Sequence, residues 1–533
     1  MSNQTILEKQ EQIVNNILDQ VPTINPFLYA TDSYKVSHIG FETDGVKEIY
    51  SNFTPRFGKY LEQLLGDAFD GKYVVFGIQW ALLRLHTIAK KGFFDKPKSE
   101  VIKEMKKVHT PYIGNEKFKH FEDLHDLGYL PILIKTLDEG TVAPIGVPFL
   151  TIRNTLPEYE WLPNYLETIL STDLWKQLTV ATIAKAFKEV SVKFALETTG
   201  STDGIEWQNH DFSCRGQSGL ESSAINGVGF LLSSCGTDNI ASLWAADKFY
   251  QSTNEQGLLA GSVSAGEHSV TTLGILTEQE RAEANGETIG LDESEYRYAK
   301  SVLTEKFPNG IVSYVADSYD YYGFLSEVLP SLKEEVLARD GKFVVRGDSG
   351  NPVDVICGDV NGKTRIEQIG TIEHLWNIFG GTINEQGYKV LDSHIGMIYG
   401  DGITVQRSKE ILERLKQKGF SSTNIVFGVG SYSLNMISRD HLGMAIKATN
   451  AVVDVNGVDV DKPIYKDPKT DSTKKSARGL ISVHKDGFGN ITYKDMQTRK
   501  QEDTGLLTTV YMNGQFHKLT TVFEIRERMW SKE

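Results

Sequence analysis

Cysteine is nearly absent from this 533-residue chain. Cys214, Cys235 and Cys357 are the only three, too few for a disulfide framework and without metal-ligand spacing. A reducing, cytoplasmic setting is therefore expected. Long apolar runs are also missing. The longest, Tyr73 to Leu85, is broken by Gln79 and Arg84 and is shorter than the ~20 residues that span a bilayer. The first twenty residues lack the sections of a signal peptide, so no membrane partner is expected. Positive charge is in deficit: 56 basic against 70 acidic residues leave a net −14. That excludes a sequence-independent grip on nucleic acid, and any anionic ligand must be met by a local cation cluster. Proline is scarce at 15 residues, whereas glycine is abundant at 48, a tilt that suits tight strand-to-helix turns rather than extended linkers.

Residues 5 to 18 space Ile6, Ile13, Val14, Ile17 and Leu18 on a helical period, so 1–26 reads as a helical N-terminal extension. Residues 27–160 mix short β-branched runs (YVVFGI, PILIKTL, PFLTIRN) with charged helices and read as an α+β segment. Long helical periodicity over 161–198 opens a unit that runs to 443. In it apolar strands alternate with polar or glycine-bearing turns and helices: IVSYVA (311–316), KFVV (342–345), IGMIY (395–399) and NIVF (424–427). Such alternation points to a parallel sheet. Asp317, Arg346, Asp348, Asp401, Gly428 and Gly430 all follow strand ends, where (β/α) barrels build their sites. An open doubly wound sheet would call for a GxGxxG fingerprint after a strand, and none is found. From 444 to 533 the text returns to β, with Asn513-Gly514 marking a type I′ hairpin. The expected fold is α/β: a (β/α) barrel-like catalytic unit, with the N- and C-terminal segments packed together as a second, mostly-β domain.

Gly400-Asp401-Gly402 and Gly428-Val429-Gly430 follow the last two expected barrel strands, the usual place for a phosphate cradled by backbone N–H groups; each alone is equally ordinary turn chemistry. Arg346 and Asp348 read either as an internal salt-linked pair or as groups for a carbonyl and a sugar hydroxyl. Asp317, Asp348 and Asp401 together are a number of carboxylates suited to Mg²⁺. His268 follows Glu267 in SVSAGEHSVTT, a small-residue segment between helices, and is either structural or a nucleophilic, proton-handling imidazole. Phe212, in HDFSCRG (210–216), is either core or a stacking surface for a flat heteroaromatic ring. Cys214 has no base beside it in sequence and reads as inert. Residues 462–478 gather six basic side chains against two aspartates, a solvated loop or a phosphate-steering one.

The segments ATDSYKVSH (30–38), HDFSCRG, GTDNIASL (236–243), AGEHSVTT (265–272), DSYDYYG (317–323), RGDSGNPVD (346–354), GDGI (400–403), ISRD (437–440) and YKDP with its following lysines (465–475) resemble the nicotinamide phosphoribosyltransferase family in order and spacing. The resemblance runs from about residue 28 to the C-terminus. It implies an irregular barrel of the type II phosphoribosyltransferase kind and transfer of a 5-phosphoribosyl group from phosphoribosyl pyrophosphate to nicotinamide. Mg²⁺ would assist and ATP would be a co-substrate. By the resemblance, Phe212 stacks on the pyridine ring, with Tyr34 of a second subunit on its other face. Asp238 accepts the carboxamide N–H, and Arg346 contacts its carbonyl. Asp348 acts near the ribose and Mg²⁺, with Asp317 beside it. Gly400, Asp401, Gly430 and Ser431 surround the ribose and 5′-phosphate. Arg215, Arg439 and Lys447 hold phosphates, joined from the second subunit by Arg56, Lys466 and Lys474. His268 is the residue transiently phosphorylated by ATP, and the shared sites imply a homodimer. Ser213 and Cys214 stand where the family more usually has Gly-Tyr, and Gly430-Ser431 where a longer glycine run is common. The alternatives are a nicotinate phosphoribosyltransferase and a non-catalytic mononucleotide-binding dimer.

Overall fold

The computed structural model describes residues 27–465 and 477–531. The helix expected over 5–18, the extension 1–26, and Lys466 and Lys474 lie outside the described residues. Two seven-stranded sheets organise the chain. In chain order the strands are β1 (Val46–Pro55), β2 (Ile132–Thr136), β3 (Leu150–Asn154), β4 (Asn209–Asp211), β5 (Gly236–Thr237), β6 (Ser264–Ala265) and β7 (Asn309–Val315). They continue with β8 (Asp340–Gly347), β9 (Ile395–Tyr399), β10 (Ile425–Val429), β11 (Met444–Val455), β12 (Val458–Pro463), β13 (Thr508–Met512) and β14 (Gln515–Phe516).

The parallel sheet has the order β5-β4-β10-β9-β8-β7-β6. Every strand neighbours its predecessor in the chain except across the β5/β6 seam, and the first strand, β4, pairs with the last, β10. That cyclic order is a barrel's, and a parallel bridge between Gly236 and Gly261 spans the seam. Register fixes one rim: Gly347 pairs with Tyr399, Val429 with Asp211, and Asp211 with Thr237. Because all these strands run the same way, the residues just beyond them gather at one mouth. Strands β8, β9 and β10 bury apolar residues such as Phe343, Val345, Met397, Ile425 and Phe427, which is why they read as near-continuous apolar runs.

The antiparallel sheet has the order β12-β11-β1-β3-β2-β13-β14, so strands from both ends of the chain are interleaved. Its register is set by the long β1/β11 ladder, from Val46 opposite Val453 to Pro55 opposite Met444. Phe53, Phe149, Ile134 and Ile152 form its buried face. Asn513 and Gly514 both have positive φ, 50° and 80°, as a type I′ turn between β13 and β14 requires. Asn456 and Gly457 (56° and 83°) repeat the device between β11 and β12.

The barrel is flanked by helices that include α1 (Ile78–Ala89), α2 (Glu167–Thr199), α3 (Leu220–Leu231), α4 (Ile240–Tyr250), α5 (His268–Ala284) and α6 (Val405–Gln417). The 33-residue α2 is about 50 Å long at 1.5 Å per residue. It is buried on most of its circumference, packed between the Lys72–Val74 strand of a separate two-stranded sheet, whose Val74 N–H donates to Thr182 Oγ at 3.0 Å, and the barrel, where Asn209 at the start of β4 donates to Ser191 Oγ at 3.0 Å. Glu139 ties the layers together. Its carboxylate accepts from Gly77 N (2.9 Å), Gln79 N (2.6 Å) and Tyr250 Oη (3.0 Å). No helix among the described residues is long and apolar enough to cross a membrane.

Candidate active site

At the mouth of the barrel lies a cleft of about 540 Å³ lined by residues that follow five strands, among them Phe212, Asp238, Asp348, Gly400 and Ser431. Phe212 leaves β4 with its N–H on Val429 O at 3.0 Å, and its ring is only half-buried, so it is a floor rather than core. Two glycines make that possible. A Cβ on Gly428 would lie 2.3 Å from Phe212 Cδ2. One on Gly400 would lie 2.4 Å from Asp348 Oδ1 and 3.3 Å from Phe212 Cε2. Neither glycine has positive φ. Close approach to the ring and the carboxylate requires them, a contact beyond the phosphate-cradling and turn readings of the sequence.

Arg346 lies beside this floor, its Cζ 5.6 Å from the Phe212 centroid. Nη2 is 2.5 Å from Asp348 Oδ2, and Nε is 3.3 Å from Oδ1. The two readings of this pair are thus compatible: it is salt-linked, and it faces the cleft. On the opposite side Asp238 is exposed and accepts from Ser262 Oγ at 2.5 Å. Arg215, Asp401, Gly430 and Ser431 also line the cleft, as does Cys214. A Cβ on Gly216 would fall 2.1 Å from Ser431 Oγ, so the loops after β4 and β10 touch, whereas one on Gly430 would meet nothing within 4 Å.

His268 opens α5 immediately after β6, a two-residue strand. The histidine therefore also stands at a strand end, not in the inter-helix segment read from sequence. Its Nε2 is 3.0 Å from Asp317 Oδ1; the imidazole is 47% exposed and the carboxylate 2%. Asp317 Oδ2 in turn accepts from Asp348 N at 3.1 Å and from Ser349 Oγ. Asp317 is thus a bracket joining the histidine to the Arg346–Asp348 loop.

Asp317, Asp348 and Asp401, the carboxylates counted toward Mg²⁺, do not converge as a ligand cluster of their own. No group of three or more potential ligands that could hold a metal exists among the described residues. Asp317 is committed to His268 and the Asp348 loop, and Asp348 to Arg346.

The remaining expected cations lie elsewhere. Arg56 and Lys447 are both pushed below their ordinary values, first by burial. Arg439 adds to this at each, and Arg56 and Lys35 at Lys447. These four form one patch on the antiparallel layer. Arg56 Nε donates to Gly443 O at 2.8 Å, and Lys447 is opposite Asn52 in the β1/β11 ladder. Tyr34 sits beside the patch, 55% exposed, with Lys35 Nζ 5.2 Å from its ring centroid. None of these residues lines the Phe212 cleft. Sequence had grouped Arg439 and Lys447 with Arg215 and separated Arg56 from them; the structure groups Arg439 and Lys447 with Arg56.

Comparison with known proteins matches residues 207–515 to the nicotinate phosphoribosyltransferase (NAPRTase) family. The chain belongs to that family. It is 42% identical over 519 residues to the nicotinamide phosphoribosyltransferase of Acinetobacter baylyi, covering 95% of this chain and 97% of that one. It is 33% identical to the protein of the same name from Mycoplasma pneumoniae, over 85% and 94% of the two chains. Among solved structures, human nicotinic acid phosphoribosyltransferase superposes with a TM-score of 0.52 at 15% identity, over 94% of this chain and 92% of that one, a likeness of fold.

Against this family frame, three residues that sequence reasoning passed over stand out. Asp211, fully buried beneath the floor, accepts from Ser213 N (2.8 Å), Ser213 Oγ (2.6 Å) and Asn239 Nδ2 (3.1 Å). Burial pushes its pKa up and these bonds pull it down, with a net rise. Its signal in sequence was the Asp-x-Ser turn pattern. Tyr399 donates to Ser349 O (2.9 Å) and Gly350 O (3.1 Å) and so pins the Asp348 loop. Ser262 orients Asp238 across 24 residues of chain, a pairing with no local signal.

Proposed function

We infer that this chain transfers the 5-phosphoribosyl group of phosphoribosyl pyrophosphate to nicotinamide, giving nicotinamide mononucleotide and pyrophosphate in NAD salvage. The observation that carries the reading is the aromatic floor, Phe212, set between the Arg346–Asp348 pair and the Ser262-oriented carboxylate of Asp238. Stacking on Phe212 contributes ~0.5–1.5 kcal/mol beyond area burial. Asp238 accepts the carboxamide N–H, and Arg346 meets its carbonyl oxygen. Nicotinate would set a second anion against Asp238 in a partly dry site, at a cost of several kcal/mol. The chain therefore selects the amide.

The reaction separates charge: the C1′–pyrophosphate bond breaks, the ribose gains oxocarbenium character, and the pyridine nitrogen supplies the electron pair for the new bond. No base is needed, so the protein's work is alignment and electrostatic stabilisation. Asp348 stands by the ribose, with Gly400 and Asp401 beside it. Arg215, Gly430 and Ser431 take the 5′-phosphate. Mg²⁺ would be held mainly through substrate phosphates and water, with Asp348 the carboxylate that could join them, since the described residues offer no three-ligand cluster. It would neutralise charge on the leaving pyrophosphate.

Arg56, Arg439 and Lys447 crowd like charges near Tyr34, Lys35 being already paired with Glu167 at 2.5 Å, an arrangement complementary to a polyanion. A two-fold homodimer in which one subunit's patch meets its partner's cleft completes both sites, with Tyr34 closing over the ring from the partner. His268 would accept a phosphoryl group from ATP, a role its exposure and its Asp317 partner support. Asp317 holds Nε2, leaving Nδ1 as the nucleophile. Transfer of the γ-phosphoryl group releases ADP, the positive end of α5 favours the resulting anion, and water later releases phosphate. This chemistry belongs to the cytoplasm. The test is an assay with either base in the presence of phosphoribosyl pyrophosphate and Mg²⁺, with and without ATP. Pyrophosphate release with nicotinamide supports the transferase, preference for nicotinate supports the nicotinate-specific alternative, and no release with either favours a binding protein.

A further inference from the structure

One buried cation lies outside the roles above. Lys176, midway along α2, is 7% exposed and has no carboxylate partner among the described residues. Its ammonium donates to Gln217 Oε1 at 3.1 Å, to Ser222 Oγ at 3.1 Å and to Asn435 Oδ1. Gln217 belongs to the loop that follows Phe212 and Arg215, and Ser222 to the first turn of α3, which that loop enters. The third caps the helical turn Ser431–Leu434, where Asn435 N donates to Ser431 O at 2.7 Å.

From these partners the contacts continue into the cleft lining. Asn435 Nδ2 donates to Gly216 O at 2.9 Å. Gln217 Nε2 donates to Ser213 Oγ at 2.9 Å, which passes its own proton to Asp211 Oδ1 at 2.6 Å. The loop after β4 and the loop after β10 thus meet at a single ammonium. Three radial donors and no acceptor are what lysine offers and a neutral side chain does not.

We propose that Lys176 is a positioning residue for the phosphoribosyl end of the site, fixing the Arg215 loop against the Ser431 turn so that both meet the same phosphate. The proposal rests on the reading that Arg215 and Ser431 hold the 5′-phosphate. Burial among neutral acceptors lowers the ammonium's pKa to about 8, so the charge is held at a cost. A methionine of similar volume would escape that cost but take a donor from the oxygens of Gln217, Ser222 and Asn435, two opposed effects on stability, whereas only a positioning role shifts KM for one substrate and not the other. A purely structural lysine and a positioning one therefore make different predictions.

The test uses full-length wild type, Lys176→Met and Asn435→Ala, measuring KM for each substrate, kcat and apparent Tm. The proposal expects each variant to raise KM for phosphoribosyl pyrophosphate by about tenfold or more, on the scale of loop misplacement. KM for nicotinamide should stay within about twofold, and Tm should not fall in parallel. Because both residues act through one node, the double variant should be no worse than the poorer single one. Unchanged KM for phosphoribosyl pyrophosphate, or equal losses for both substrates that track a falling Tm, would overturn it. If Lys176→Met fails to fold, Asn435→Ala decides by the same split. Wild type inert with either base would overturn the transferase reading itself, an outcome separate from an active wild type with insensitive variants.

Discussion

Gly400→Ala offers a sharp separation of chemistry from stability. The added methyl would lie 2.4 Å from Asp348 Oδ1, with Phe212 Cε2 at 3.3 Å and Arg346 Nε at 3.5 Å closing the directions of escape. Ordinary contact begins near 3.4 Å, so the carboxylate must retreat by about 1 Å, and doing so disturbs its 2.5 Å bond to Arg346. A displacement of about 1 Å costs on the order of 10²-fold in rate, or about 2.7 kcal/mol of transition-state stabilisation. The backbone gives no reason for comparable unfolding: Gly400 is not left-handed, and alanine at a compatible glycine position stabilises by ~0.4–1 kcal/mol through the unfolded chain. Initial rates of pyrophosphate release and a thermal melt on the same preparation check both halves. Loss of kcat/KM with little change in Tm is expected. A kcat/KM within about twofold of wild type would refute the argument that Gly400 is there to admit Asp348.

Gly430→Ala is the complementary case, since its methyl meets nothing within 4 Å; Tm should hold while KM for phosphoribosyl pyrophosphate rises, because the free space belongs to the ligand. Asp238→Asn should narrow the preference for nicotinamide over nicotinate in a two-base competition, and unchanged discrimination would count against the carboxylate as selector. Glu295 is buried, and desolvation pushes its carboxyl up to about 7. Between about pH 4.5 and 7 the folded state keeps a proton the unfolded state has lost, so this group's contribution to stability falls as pH rises. Glu295→Gln should therefore gain up to about 3 kcal/mol on wild type between pH 4.5 and 8, read as a difference in apparent Tm between the two pH values.

What was legible in the sequence follows from which physical signals are local. Strands β7 to β10 were readable because burial inside a barrel makes them near-continuous apolar runs, and their ends named Asp317, Asp348 and Gly400 directly. Strand β6 was not, since Ser264–Ala265 is two exposed residues, and His268 therefore looked like part of an inter-helix segment. Glycines 400 and 428 stand out in sequence as a phosphate-cradling or ordinary turn, whereas the ring and carboxylate they admit come from β4 and β8, contacts no local pattern records. Charge grouping failed for the same reason. Arg439 follows the last barrel strand in sequence, yet the chain then enters β11 and carries it, with Lys447, to Arg56 on the other sheet. The carboxylates counted in sequence carry no sign of their partners, which for Asp317 is His268 and for Asp348 is Arg346.

The central claim is that this cleft joins nicotinamide to a phosphoribosyl group. Its most direct measurement is mononucleotide and pyrophosphate formation by the full-length protein with phosphoribosyl pyrophosphate and Mg²⁺, nicotinamide and nicotinate being offered separately and then together. Nicotinamide mononucleotide and stoichiometric pyrophosphate, with nicotinate much the poorer substrate in competition, is the predicted result. Preferential formation of nicotinate mononucleotide, or no pyrophosphate from either base, would contradict it.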